Sequence, residues 1–219
     1  MLRFRTVMRA AALCAASMTL VVAMGCSGNK GYKKTTSATT SLESLASTLE
    51  DGGRQVETTM ASLSTLMAST GDLRRPYDQF VNEIGKLERA ADRAGNARKD
   101  FEKRRQAFLD EWEIRLDTVS SDEIRDLGRD RRNNAIQQFE KLDSTFNSVR
   151  ESYDPLIAKL HDISAFLNVD LNRGSIDAAR PSVNTANEES RILLDRIGIA
   201  LREIRALADR VSPVTPEED

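Results

Sequence analysis

His161 is the only histidine in the chain and the side chain best suited to acid–base chemistry near neutral pH. A catalytic histidine works beside a nucleophile or an orienting carboxylate, and the sequence around His161 and Asp162 indicates no such arrangement. The sequence also contains no phosphate-binding glycine loop, nucleophile elbow or closely spaced cysteine pair. We therefore expect a surface histidine and a protein that is not an enzyme, with no catalytic residue, cofactor or metal.

A second group of chemically capable side chains lies between residues 110 and 132, where eight carboxylates alternate with five arginines. Carboxylates are suitable ligands for metal ions, but carboxylate-bridged sites in helical bundles also use Glu-x-x-His, which this sequence lacks. The interleaved arginines favour ion pairs on a solvated surface, each contributing little stability. A metal or partner site is the alternative.

Cys26 has the context of a modified residue. Three arginines near the N-terminus precede an uncharged apolar stretch of 15 residues, which is typical of a signal peptide and short for a membrane-spanning helix. The stretch ends in Ala23-Met24-Gly25-Cys26, which resembles the lipobox of bacterial lipoproteins. We expect residues 1–25 to be removed and Cys26 to be lipidated. An ordinary signal peptide cleaved elsewhere is the alternative.

Lipidation at Cys26 implies that the membrane is the first partner of the protein. Ser27 stands where an aspartate would resemble a signal for retention in the inner membrane. This favours the periplasmic face of the outer membrane, and the outer leaflet of the inner membrane is the alternative. The net charge of −2 gives no bulk attraction to nucleic acid.

The remaining chain divides by composition into a tether, a helical body and a tail. Residues 26–40 are rich in Gly, Ser, Thr and Lys without an apolar repeat, which predicts a flexible tether. Residues 212–219 contain two prolines and three acidic residues, which is typical of a disordered acidic tail. Residues 41–211 are expected to form the folded part.

Apolar residues recur through the folded part at alternating spacings of three and four. From residue 42 to residue 112, 16 of 21 such positions are apolar, and similar seams follow in the second half. This repeat predicts amphipathic helices with a coiled-coil-like seam. Arg98 and Arg105 interrupt the seam, and we interpret both as exposed to water because helix one has ended by that point.

Breaks in the pattern predict four helices. Gly71 and Asp72 suggest a turn after helix one, although a continuous helix through Pro76 is the alternative. Residues 120–123 form a capping-box pattern at the start of helix three, and residues 168–174 interrupt the seam before helix four. Pro155 is expected within helix three because the seam continues on both sides.

The helix lengths predict an all-α fold with a definite shape. Helices two and three form a long antiparallel hairpin that turns near Ser120, and the two shorter helices pack on it. The body is then a four-helix bundle, and about 30 Å at the tip is a two-helix coiled-coil stalk.

The stalk provides the predicted partner contact. Two helices cannot fully cover each other's apolar seams, so Phe108, Trp112 and Leu116 are expected to be exposed near the tip. Exposed aromatic residues of this kind often anchor a protein partner or self-association. The alternative is that Trp112 closes the core of the stalk.

The order of several short segments resembles the bacterial DUF2959 family of uncharacterised proteins. These segments are Phe108-Leu109-Asp110-Glu111-Trp112-Glu113, Gly71-Asp72-Leu73, Asp154-Pro155-Leu156 and the Leu167-Asn168 to Leu171-Asn172 loop. The resemblance covers most of residues 41–210. It implies a helical, coiled-coil-like fold, and it implies no activity and no site residues.

Two functional hypotheses follow. The first is a membrane-anchored periplasmic scaffold, spacer or adaptor, because the recognisable features serve anchoring and helix packing. The second is a periplasmic bundle that senses a small molecule held between its helices, which would need an apolar cavity with a few convergent polar groups. Thr59, Arg98 and Ser190 are the polar seam residues available for that role.

Overall fold

The structure of the protein is a computed structural model that describes residues 29–211. Four helices account for 93% of these residues, which contain no strand. The predicted signal peptide at residues 1–25, the predicted lipidation site Cys26 and the predicted acidic tail at residues 212–219 lie outside the described residues. The helices are α1 (Asn29–Ala68), α2 (Arg74–Asp117), α3 (Asp122–Val169) and α4 (Arg173–Val211).

The predicted breaks between helices are confirmed. Gly71 lies between α1 and α2, so the alternative of one continuous helix is wrong. Ser121 caps α3, and its side chain accepts a hydrogen bond from Ile124 N at 3.4 Å. At the start of α4 it is the Asn172 side chain that accepts from Ser175 N, at 3.0 Å. Pro155 lies within α3, as expected.

The four helices run alternately up and down around one apolar core, which confirms the all-α bundle. α1 packs against α2 and α4, and α3 packs against the same two helices. The seam positions provide the core because the repeat of three and four residues places them on one face of each helix. The largest fully buried side chains come from all four helices, so each helix contributes to the core. They include Leu42, Leu63, Phe80, Phe101, Leu142, Leu156, Leu160, Ile163 and Ile176.

The prediction of a flexible tether at residues 26–40 is wrong from Asn29 onward, because α1 begins there. Ala38 is only 2% exposed, and the neighbouring Thr39 is also buried. Short polar side chains can be buried here because they bond to the helix backbone: Thr39 Oγ1 donates to the Thr35 carbonyl at 3.2 Å, and Ser41 Oγ to the Ala38 carbonyl at 2.7 Å. The buried positions in this part of α1 are occupied by small and polar residues, so the segment shows no apolar repeat that would predict a packed helix.

The early start of α1 also corrects the predicted shape. Arg104 on α2 donates to Ser37 Oγ at 2.7 Å, which fixes the register of the two helices. The eight residues before Ser37 carry α1 about 12 Å further, to the level of Trp112. The two-helix stalk is therefore much shorter than the predicted 30 Å or so. The N-terminus of α1 and the α2–α3 turn lie at the same end of the bundle.

No helix among residues 29–211 is both long enough and apolar enough to cross a membrane.

Candidate functional site

The end of the bundle at the α2–α3 turn, which we call the tip, contains the predicted partner residues. The expected exposure of these residues is not found, since Phe108 is 8% and Leu116 is 7% exposed. Trp112 is partly buried and packs against the core, with its ring centroid 5.3 Å from that of Phe108. The alternative reading, in which Trp112 closes the core of the stalk, agrees with this geometry.

A close approach of α2 and α3 explains why these side chains are covered. Gly128 lies opposite Leu116, and a Cβ atom at position 128 would overlap Leu116 Cδ2. The missing side chain therefore lets the two helices come together just below the turn. The longer α1 adds to this effect because it reaches the level of Trp112.

The charged residues at the tip form ion pairs, as the sequence suggested. Arg132 Nε lies 3.2 Å from Glu113 Oε2 and also donates to the Leu109 carbonyl at 3.3 Å. Arg125 reaches the Val119 carbonyl at 2.6 Å and so holds the turn closed. Within residues 29–211, no group of three or more His, Cys, Asp or Glu side chains is arranged to hold a metal ion.

The exposed apolar residues at the tip are ones that the sequence reasoning missed. Ile114 is 59%, Ile124 58% and Leu127 60% exposed. All three lie off the seam, so the apolar repeat does not identify them. Large aliphatic residues at positions that the repeat assigns to solvent are the signal that could have found them.

Arg98 and Arg105 are less exposed than predicted, because α1 has not ended at their level. Arg105 Nη1 lies 2.7 Å from Asp143 Oδ2, and its guanidinium group covers the rings of Phe101 and Phe139 at 5.8 and 5.7 Å. Arg98 pairs with Glu102 at 2.9 Å and lies over the Phe146 ring. Ion pairing and aromatic contacts thus satisfy two cations at seam positions.

A cleft of about 1240 Å³ opens between α2 and α3 in the middle of the bundle. Small residues of α2 form part of its wall and keep the opening wide: Gly85, Ala91 and Gly95. Core residues of α1 and α4, among them Leu49 and Ile197, also line it.

Charged and polar groups surround this cleft. His161 Nε2 lies 2.9 Å from Glu88 Oε1, and His161 is exposed at the rim, as predicted. Burial raises the pKa of the Tyr153 hydroxyl to about 12, with help from the negative charges of Glu88 and Asp92. Tyr153 therefore stays a neutral phenol across the physiological range. Arg98 also lines the cleft.

The other two polar seam residues lie outside the cleft lining and bond within the bundle. Thr59 is fully buried, and its hydroxyl is 2.8 Å from the Gln55 carbonyl and 3.3 Å from the Glu83 carbonyl across the α1–α2 interface. Ser190 Oγ donates to the Asn187 carbonyl at 2.8 Å. The carboxylate of Glu83 accepts from Lys86 and Gln55, and these bonds lower its pKa below the usual value.

The comparisons with known proteins give a family and no activity. No curated protein and no solved structure matches the chain. The model of the DUF2959 family, described as a protein of unknown function, matches residues 26–210. The matched segment reaches from Cys26 to the last turn of α4 and includes the Phe108–Glu113 segment at the tip. The chain belongs to the DUF2959 family of proteins of unknown function.

Proposed function

We propose that the protein is a lipid-anchored helical scaffold, spacer or adaptor on the periplasmic face of the outer membrane, without catalytic activity. The single observation that carries this proposal is a rod of four helices that begins three residues after a lipobox-like cysteine. A rod attached to a membrane through Cys26 would keep its other end at a fixed distance from the membrane surface. That is the physical task of a spacer.

The dimensions of the bundle support this role. α3 has 48 residues and is therefore about 70 Å long. The far end, which we call the base, is formed by the α1–α2 and α3–α4 turns. Phe166 and Val169 are exposed there, and Val169 is 87% exposed. These side chains are available to a protein partner at a distance from the membrane.

The anchoring step is tested by changing Cys26. Cys26→Ser removes the thiol that would carry the acyl chain, so the variant should move from the membrane fraction to the soluble periplasmic fraction and lose incorporation of labelled fatty acid. Cys14→Ser is the matched control, because Cys14 lies in the predicted signal peptide and its change should leave anchoring intact. Continued membrane fractionation and acylation of Cys26→Ser would contradict lipidation at this residue.

The cleft favours a second candidate function, the ligand-sensing bundle. A space of about 1240 Å³ between α2 and α3 fits a small molecule or an acyl chain, and Arg98 and Tyr153 supply polar contacts. A small molecule released from the membrane-purified protein on denaturation would favour this function. Gly95→Phe should reduce its recovery, because the space beside Gly95 Cα is open and the new ring would enter the cleft.

A further inference from the structure

The position of the lipidation site relative to the fold determines which end of the bundle faces the membrane. Ser27 and Gly28 are the only residues between Cys26 and α1, and a link of this length spans at most about 10 Å. The contact between Arg104 and Ser37 places that turn near Trp112, at the tip. With the proposed lipidation of Cys26, a short link of this kind would hold the tip close to the membrane.

We propose that the tip is itself a lipid-binding surface, on which Ile114, Ile124 and Leu127 enter the headgroup region of the bilayer beside the anchor. This inference rests on the proposed function and extends it, because it assigns the orientation of the rod and a second membrane contact. The base, with Phe166 and Val169, then points away from the membrane.

The apolar contact is argued from exposure. Ile114 lies on the last turns of α2, and Ile124 and Leu127 lie one turn apart at the start of α3. Each is more than half exposed although the bundle has a complete core nearby. Aliphatic side chains in water at this end gain free energy on transfer to the acyl boundary of a bilayer. They belong to the two helices on either side of the turn, so both helices of the hairpin can contact the membrane interface together.

The charges at the tip bear on whether it prefers anionic or zwitterionic lipid headgroups. Exposed acidic groups outnumber basic ones around the turn, and several already form pairs, such as Arg125 with Asp122 at 2.6 Å and Arg129 with Asp126 at 3.6 Å. Lys33 and Lys34 are exposed on the first turns of α1. This mixture gives no strong attraction to anionic lipid, whereas the ammonium groups of phosphatidylethanolamine can pair with the carboxylates. Binding should therefore be apolar in origin and change little with salt.

Trp112 provides a native probe, because it is the only tryptophan and lies at the tip. The chain from Cys26 to Asp219 contains all four helices and one cysteine. Its Cys26 thiol would be coupled to a maleimide lipid in vesicles of phosphatidylcholine and phosphatidylethanolamine whose acyl chains carry bromine near the headgroup. Bromine quenches tryptophan only at short range. Trp112→Phe combined with Phe166→Trp moves the probe to the base and serves as the comparison.

The expected result is quenching of Trp112 and no quenching of the probe at the base. Replacing Ile114, Ile124 and Leu127 together by serine should abolish most of the quenching, whereas Phe166→Ser with Val169→Ser should leave it unchanged. Circular dichroism checks that each variant keeps its helices. The inference is overturned if Trp112 is not quenched, if both probes are quenched equally, or if the serine variant at the tip remains quenched.

Two further outcomes separate this inference from its alternatives. If the serine variant at the tip changes the sedimentation mass of the chain without vesicles, the tip is a contact between copies and the lipid assignment is wrong. The maleimide coupling attaches the chain to the vesicle whether or not Cys26 is lipidated in cells. An absence of quenching therefore contradicts only the membrane contact of the tip, and an absence of acylation on Cys26 in cells contradicts only the proposed anchor.

Discussion

Ala38→Asp should lower the free energy of unfolding by about 2–4 kcal/mol, because it places a carboxylate at a position that the bundle removes from water. Ala38 is only 2% exposed, and it lies within a segment whose composition predicts a flexible tether. A substitution in a tether would have no effect on stability. The effect would be measured by urea denaturation followed by helical circular dichroism.

Thr40→Asp is the matched control for Ala38→Asp. Thr40 lies two residues away in α1 and is exposed. Its change should alter stability by less than about 0.5 kcal/mol, as is usual for surface positions. Equal, small effects at positions 38 and 40 would show that Ala38 is not buried in the bundle.

Phe101→Ala should cost about 3–5 kcal/mol, which is the usual range for removing a buried phenylalanine. Phe101 is fully buried, and its ring meets that of Phe139 edge-on, with centroids 5.9 Å apart. Its loss also removes one of the two rings beneath the Arg105 guanidinium group. The measurement is again urea denaturation, with the slope compared between variants to confirm a two-state transition.

Phe166→Ala provides the control for Phe101→Ala. Phe166 is about half exposed at the base, so its truncation leaves no cavity and should change stability by less than about 1 kcal/mol. A loss at position 166 as large as the loss at position 101 would mean that Phe166 is packed in the core at the base, which contradicts its exposure.

The features that could be predicted from the sequence are those with local signals. The repeat of three and four residues identified the seam, and Leu160 and Ile204 are buried where the repeat places them. The turn at Gly71 and the cap at Ser121 follow from residue types whose backbone preferences act within a few residues.

The features that could not be predicted depend on contacts between distant segments. The polar start of α1 lies against α2, where Arg104 donates a hydrogen bond to Ser37 Oγ, and contacts of this kind are invisible to a local pattern. Leu116 is buried where Gly128 of α3 lies against it, which is a contact between two different helices. The cleft beside Tyr153 depends on the spacing between α2 and α3, which no local pattern encodes.

The arrangement on which the proposed orientation depends is that the N-terminus of α1 and the α2–α3 turn share one end of the rod. It is tested most directly by distances between spin labels on the chain from Ser27 to Asp219, which contains no native cysteine. Labels at Lys34→Cys and Ser120→Cys should give a narrow distribution of distances below about 30 Å. Labels at Lys34→Cys and Gly71→Cys should give distances of about 50 Å or more, because most of the length of α1 separates the two positions. A reversed order of the two distances, or a broad distribution for both pairs, would contradict the claim.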